Sequence, residues 1–150
     1  MTIKDLNEYL SNFDWGYKIN GENIFKNESK ITDKMFADNY RTLSPMQFEI
    51  DKCGICWDYV NDEAIYFQKY FHMNCTLNNL SNNCFSQYYI ETIPNNKTHT
   101  FIAYMENNMI HIFESSWKPF VGIYNFHSEK EMLNYYYKKF CNNNNVDKCS

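Results

Sequence analysis

The sequence predicts an α+β fold in which a central helix, starting at a cysteine, packs on an antiparallel β-sheet. Three observations carry this. After Cys56 the apolar residues Trp57, Val60, Ala64, Phe67 and Phe71 recur in steps of three and four, which marks one face of a helix. Between residues 85 and 126, aromatic and β-branched segments alternate with turn residues, the pattern of consecutive strands. Capping boxes at Thr2-Ile3-Lys4-Asp5 and at Ser128 to Glu131 mark helix starts near both ends.

Taken in order, the first capping box leads into Ile3, Leu6, Leu10 and Phe13 at helical spacing, so a helix is expected from 3 to 13. Residues 14–23 read as loop, with Gly16 and Gly21 as breakers. A second helix is expected from Asp33 to Arg41, behind Thr32. Ser44-Pro45-Met46-Gln47 joins a capping serine to proline at the first helical position, which predicts a short helix to Ile50. The central helix runs from Cys56 to Phe71. Strands are expected at 85–93, 98–105, 109–114 and 121–126, followed by a helix from Ser128 to Phe140 and a frayed tail. Asn107-Asn108 suits a tight hairpin, because asparagine tolerates positive φ.

Composition narrows the function classes. The chain has 150 residues, 44% hydrophobic and 19% aromatic, enough for one well-packed domain over 1–150. A net charge of −4 without a basic stripe argues against a nucleic-acid partner. No apolar run approaches the ~20 residues of a membrane span, and MTIKDLNEYL lacks the apolar centre of a signal peptide. The expectation is a cytoplasmic protein with no membrane partner and mostly reduced cysteines. Oligomeric state is not legible.

The chemistry centres on Cys56. A thiolate is a stronger nucleophile than a thiol, and a helix start favours negative charge. A thiol enzyme also needs an imidazole to exchange protons and an acceptor to orient it. His99 and Glu114 follow in that order. If Asn107 and Asn108 form the turn, Glu106 faces Met109 and Ala103 faces Ile112. Side chains alternate along a strand, so His99, Phe101 and Ala103 then share a face with Glu114. A slip of one residue would send Glu114 to the other side. His111 points away from His99 on this register.

Gly54-Ile55-Cys56-Trp57-Asp58, His99-Thr100-Phe101 and Phe113-Glu114-Ser115-Ser116-Trp117 resemble the transglutaminase-like superfamily, part of the larger papain-like group. The resemblance is strongest from residue 50 to 124. It implies a nucleophilic cysteine at the start of a helix packed on a sheet, with histidine and an acid on neighbouring strands. That makes Cys56, His99 and Glu114 the catalytic candidates. The family's usual acid is aspartate, so Glu114 is a departure, and the acidic calcium loops of animal transglutaminases are not visible. The implied activity is cofactor-free acyl transfer on a peptide or protein amide, most simply hydrolysis. Transamidation or glutamine deamidation is the first alternative, and a non-catalytic binding module that keeps the fold is the second. The Cys56 backbone N–H is the expected first oxyanion donor.

Four auxiliary candidates remain. Gln47 could supply a second oxyanion donor, although its capping box explains it more simply. Trp57 and Trp117 could flank the site, with a core role the simpler one for Trp117. Cys53 could form a reversible disulfide with Cys56. Asp58 reads as a helix-start carboxylate. A zinc site built from Cys53, Cys56, His72 and Cys75 is disfavoured by length. Cys56 and His72 lie sixteen residues apart, roughly 24 Å along a helix at about 1.5 Å per residue.

Overall fold

In a computed structural model of the protein, the structure describes residues 1–19, 22–25, 40–77, 79–91 and 97–143. Its elements run α1 (Ile3–Ser11), β1 (Asp14–Ile19), β2 (Glu22–Phe25), α2 (Pro45–Asp51), β3 (Cys53–Gly54), α3 (Cys56–Lys69), β4 (Asn74–Cys75), β5 (Cys84–Glu91), β6 (Thr98–Glu106), β7 (Met109–Glu114), β8 (Gly122–Phe126) and α4 (Glu129–Asn143). The fold is α+β.

Five strands form one sheet in the order β4-β5-β6-β7-β8. β5 to β8 pair antiparallel through successive hairpins. The expected antiparallel sheet gains a short parallel edge, β4 beside β5. The β6–β7 register is the expected one, with Glu106 opposite Met109 and Ala103 opposite Ile112. Asn107 and Asn108 turn the chain at φ of 53° and 63°.

Helices cover both faces of this sheet. On one face Leu6 and Leu10 of α1, Phe48 of α2 and Tyr59, Val60 and Phe67 of α3 pack on Phe85, Ile102, Tyr104 and Phe113. Phe67 sits at the centre, fully buried, its ring 5.3 Å from those of Tyr104 and Phe113. On the other face Met132, Tyr136 and Phe140 of α4 pack on Phe101, Ala103, Ile110 and Ile112.

Capping chemistry holds the helix starts. The Thr2 and Asp5 side chains accept from each other's backbone N–H groups. Ser44 Oγ accepts from Gln47 N, and Ser128 Oγ from Glu131 N.

Two expectations are corrected. Residues 14–25 are not loop: β1 and β2 form a hairpin, and β1 runs parallel to β3 to make a second, three-stranded sheet. Here Gly16 is accommodated inside a strand, paired with Phe25. The buried face of α3 is rotated from the apolar stripe. Trp57 is exposed, whereas Asp58, Asp62 and Glu63 are buried. The sheet face opposite His99 is the one α3 packs on, and α4 covers the face of His99 itself. The expected helix over 33–41 falls mostly outside the described residues; Tyr40 and Arg41 are not helical. The expected tail past 143 also lies outside them. No helix among the described residues is long and apolar enough to cross a membrane.

Candidate active site

The start of α3 depends on two neighbours of Cys56. A Cβ on Gly54 would lie 2.7 Å from Asp58 Cβ and 2.8 Å from Phe48 Cδ1, so only glycine lets α2 and α3 approach this closely. Ile55, the N-cap, has no side chain that can cap. Asp58 takes that role from within the first turn: its Oδ2 accepts Ile55 N at 2.9 Å. Its Oδ1 accepts Leu43 N at 2.9 Å and the Tyr40 hydroxyl at 3.1 Å. Burial raises the Asp58 carboxyl, while these three bonds draw it down. Asp58 is thus a clamp on the helix start.

His99 and Glu114 come from β6 and the last residue of β7. His99 Nε2 and Glu114 Oε1 are 2.6 Å apart. The Tyr136 hydroxyl donates to the same oxygen at 2.6 Å. Glu114 Oε2 accepts Ser116 N at 3.1 Å, Ser116 Oγ at 3.2 Å and Trp117 N at 3.3 Å. The chain turns sharply after β7, which aims these N–H groups back at the carboxylate. The imidazole is surrounded by the rings of Phe101, Trp117, Tyr136 and Phe140, centroids 6.0 to 6.4 Å away.

Burial lowers the proton affinity of His99, but the Glu114 charge and bonding to Cys56 and Glu114 more than reverse this, raising it to about 10. Glu114 is shifted the other way: burial pushes it up, and the His99 charge and its hydrogen bonds bring it below the usual range. The two form a buried ion pair at neutral pH. Because Nε2 faces Glu114, Nδ1 is the ring nitrogen left for the thiol.

Cys56 and His99 open on one cleft of about 800 Å³. Trp15, Lys97, Trp117 and Lys118 are among its other walls. It forms where β7 stops at Glu114, so that the start of α3 reaches the histidine around the end of that strand.

The structure therefore brings Cys56, His99 and Glu114 together. Trp117 is half-buried and belongs to the cleft wall as well as to the core beneath it. The remaining auxiliaries stand apart. Gln47 is exposed and donates to Asp51 at 2.8 Å. Trp57 packs on Tyr89, 5.9 Å between centroids. Cys53 is a buried thiol on a separate cavity of about 120 Å³ shared with Tyr40 and Asp58. Cys53, Cys56, Cys75 and Cys84 take part in no disulfide, and Cys141 is disulfide-bonded. His111 bonds Asn125 on the opposite face. His72 and Cys75 lie beyond the far end of α3.

Several site residues escaped the sequence reading. Tyr136, Ser116 and Asn7 hold Glu114 or its strand end; Asn7 Nδ2 donates to the Glu114 carbonyl at 2.8 Å. Glu63 and Ser115 lie beneath them. Glu63 follows Cys56 by seven residues, two helical turns along one face, and that spacing was the available signal. Comparison with family models, curated proteins and solved structures finds no match for the chain.

Proposed function

We propose that the chain is a cysteine-dependent acyl-transfer enzyme of papain-like, transglutaminase-like type, acting on a peptide or protein amide. One observation carries this reading: buried His99 bonds Glu114 through Nε2 and opens with Cys56 on one cleft of about 800 Å³. That volume suits a peptide segment with a side chain.

Cys56 attacks the amide carbonyl as the thiolate, its proton already held on His99. The negative charge moves to the carbonyl oxygen, near the Cys56 backbone N–H, one of the helix-start donors without an intrahelical partner. His99 gives its proton to the departing amine, the C–N bond breaks, and a thioester remains on Cys56. The neutral imidazole then takes a proton from water as water attacks the thioester, releasing a carboxylic acid and the thiolate. Glu114 holds the ring through Nε2 and stabilises its cationic form. An amine in place of water would give transamidation through the same acyl-enzyme, and a glutamine side chain as the amide would give deamidation. Hydrolysis is the simplest outcome and needs no cofactor.

Iodoacetamide tests this directly, because exposed Cys75 serves as an internal control. Cys56 should be alkylated faster than Cys75 at neutral pH despite its burial, and His99→Ala should slow Cys56 by at least about tenfold while leaving Cys75 unchanged. Equal labelling of Cys56 with and without His99 would sink the reading.

A further inference from the structure

One buried carboxyl beside the site takes no part in the acyl transfer. Glu63 is 2% exposed. Its Oε1 accepts the Ser115 hydroxyl at 2.6 Å. Its Oε2 is buried and has no hydrogen-bond partner among the described residues. Ser115 follows Glu114 in the chain and is itself fully buried. Glu114 and Glu63 therefore meet at one strand end, on the same short polar turn. A carboxylate oxygen out of water with no donor is costly enough that the group keeps a proton instead.

We propose that Glu63 is a positioning residue of the triad: as a neutral acid on Ser115 it leaves Glu114 the single carboxylate facing His99 among the described residues, and as an anion it competes with Glu114 for the imidazolium. This rests on the acyl-transfer reading of Cys56, His99 and Glu114.

The groups around Glu63 support it. Its own helix brings Asp62 and Tyr59, β6 brings His99, β7 and its exit bring Glu114 and Ser115, and α4 brings Tyr136. Lys118 Nζ lies 3.2 Å from the Ser115 carbonyl and 3.2 Å from the Tyr59 hydroxyl. Burial pushes Glu63 up, the Ser115 bond draws it down and the Glu114 charge pushes it up again, to about 8 in all. Two carboxyls sharing a buried site do not both ionise readily. Below that value Glu114 and His99 balance each other. Above it a second negative charge arrives, tightens the hold of His99 on its proton and pushes Glu114 up. The imidazolium then yields its proton to a leaving amine less readily.

NMR titration of the full chain tests this. The Glu63 carboxyl carbon should titrate near pH 8, and the His99 ring carbons should show a step there, ahead of their own titration near pH 10. Glu63→Gln keeps the shape and an acceptor for Ser115, and should abolish the step on His99. Asp62 is also raised to about 8, by burial and by Glu49, so Asp62→Asn is the control and should leave the step in place. A Glu63 carbon that titrates in the ordinary carboxylate range overturns the proposal, as does a His99 step that survives Glu63→Gln. If Glu63→Gln does not fold, the Glu63 carbon of the unsubstituted chain still decides. Alkylation of Cys56 that ignores His99→Ala would instead fail the acyl-transfer reading; the titration needs no reactive thiol, so the two failures are distinguishable.

Discussion

The two walls of the cleft are built on different plans. The wall that carries His99 and Glu114 is held many times over. Glu114 takes five hydrogen bonds among the described residues, from β6, from the turn after β7 and from α4. Asn7 of α1 ties down the carbonyl of the same residue. The wall that carries Cys56 hangs on one carboxylate, Asp58, which gathers Ile55 N, Leu43 N and the Tyr40 hydroxyl. The difference follows from the task. A histidine–carboxylate pair buried away from water must have every lone pair and proton satisfied, or burial expels its charges. A sulfur at a helix start needs only its backbone in the right place. Redundancy belongs to the wall of the buried ion pair, and the cysteine wall depends on a single clamp.

The strongest way to break this contrast is Glu114→Ala. It strands a buried imidazole and frees the Tyr136 hydroxyl and the donors of the β7 exit. We expect a loss of about 3–5 kcal/mol, as for a buried ion pair deprived of one partner, read by urea denaturation. A loss below about 1 kcal/mol, the range of an exposed pair, would show that the wall is not held by its charges. The pair also sets the pH dependence of stability. His99 rises from 6.5 unfolded to about 10 folded, so its stabilisation is complete below pH 6.5 and is lost as pH rises through 10. Glu114 is lowered from 4.5, so the same interaction is complete above pH 4.5 and is lost as pH falls through its folded value. Glu63 adds a decline of its own between about pH 4.5 and 8, where the folded state keeps a proton that the unfolded chain has released. Stability should peak between these limits, on the mildly acidic side of neutrality. A curve still rising at about pH 9 would contradict the sign of the shifts.

Asp58→Ala is the matching break in the other wall. It removes the acceptor of three donors at once, and we expect about 2–3 kcal/mol in urea denaturation. The larger consequence is local. The start of α3 loses its tie to the 40–43 segment, so iodoacetamide labelling of Cys56 should change while the His99 ring resonances stay where they are. If those resonances move as much as in Glu114→Ala, the two walls are not independent.

Legibility in the sequence divides along the same line. The sheet carrying His99 and Glu114 is made of successive hairpins, and local signals specify it. Asn107-Asn108 set the turn, the turn set the register, and the register put both residues on one face. The three-stranded sheet beside Cys56 pairs β1 with β3 across a long stretch of chain. Such a pairing leaves no short-range trace, and Gly16 read as a breaker. Alternation tells which residues share a face and is silent on which helix covers it, so the cover of α4 over His99 and the role of Tyr136 went unseen. Buried carboxyls escaped for a related reason: hydropathy assigns Asp58, Asp62 and Glu63 to solvent, and only their partners explain why they are inside.

The smallest expected effect sharpens the contrast most. Tyr136→Phe removes one hydroxyl from Glu114 Oε1 and nothing else: the ring keeps its stack on Phe101, 4.0 Å between centroids, and its place beside His99. With four other donors still on Glu114, the loss should be about 1 kcal/mol, that of one hydrogen bond between well-supported partners. Tyr136→Ala, which also empties the ring's site, should cost about 3–5 kcal/mol. The ratio between the two variants measures how redundant the charged wall is. If Tyr136→Phe alone costs as much as Tyr136→Ala, the hydroxyl is indispensable to Glu114, and the charged wall hangs on a single bond as the other wall hangs on Asp58.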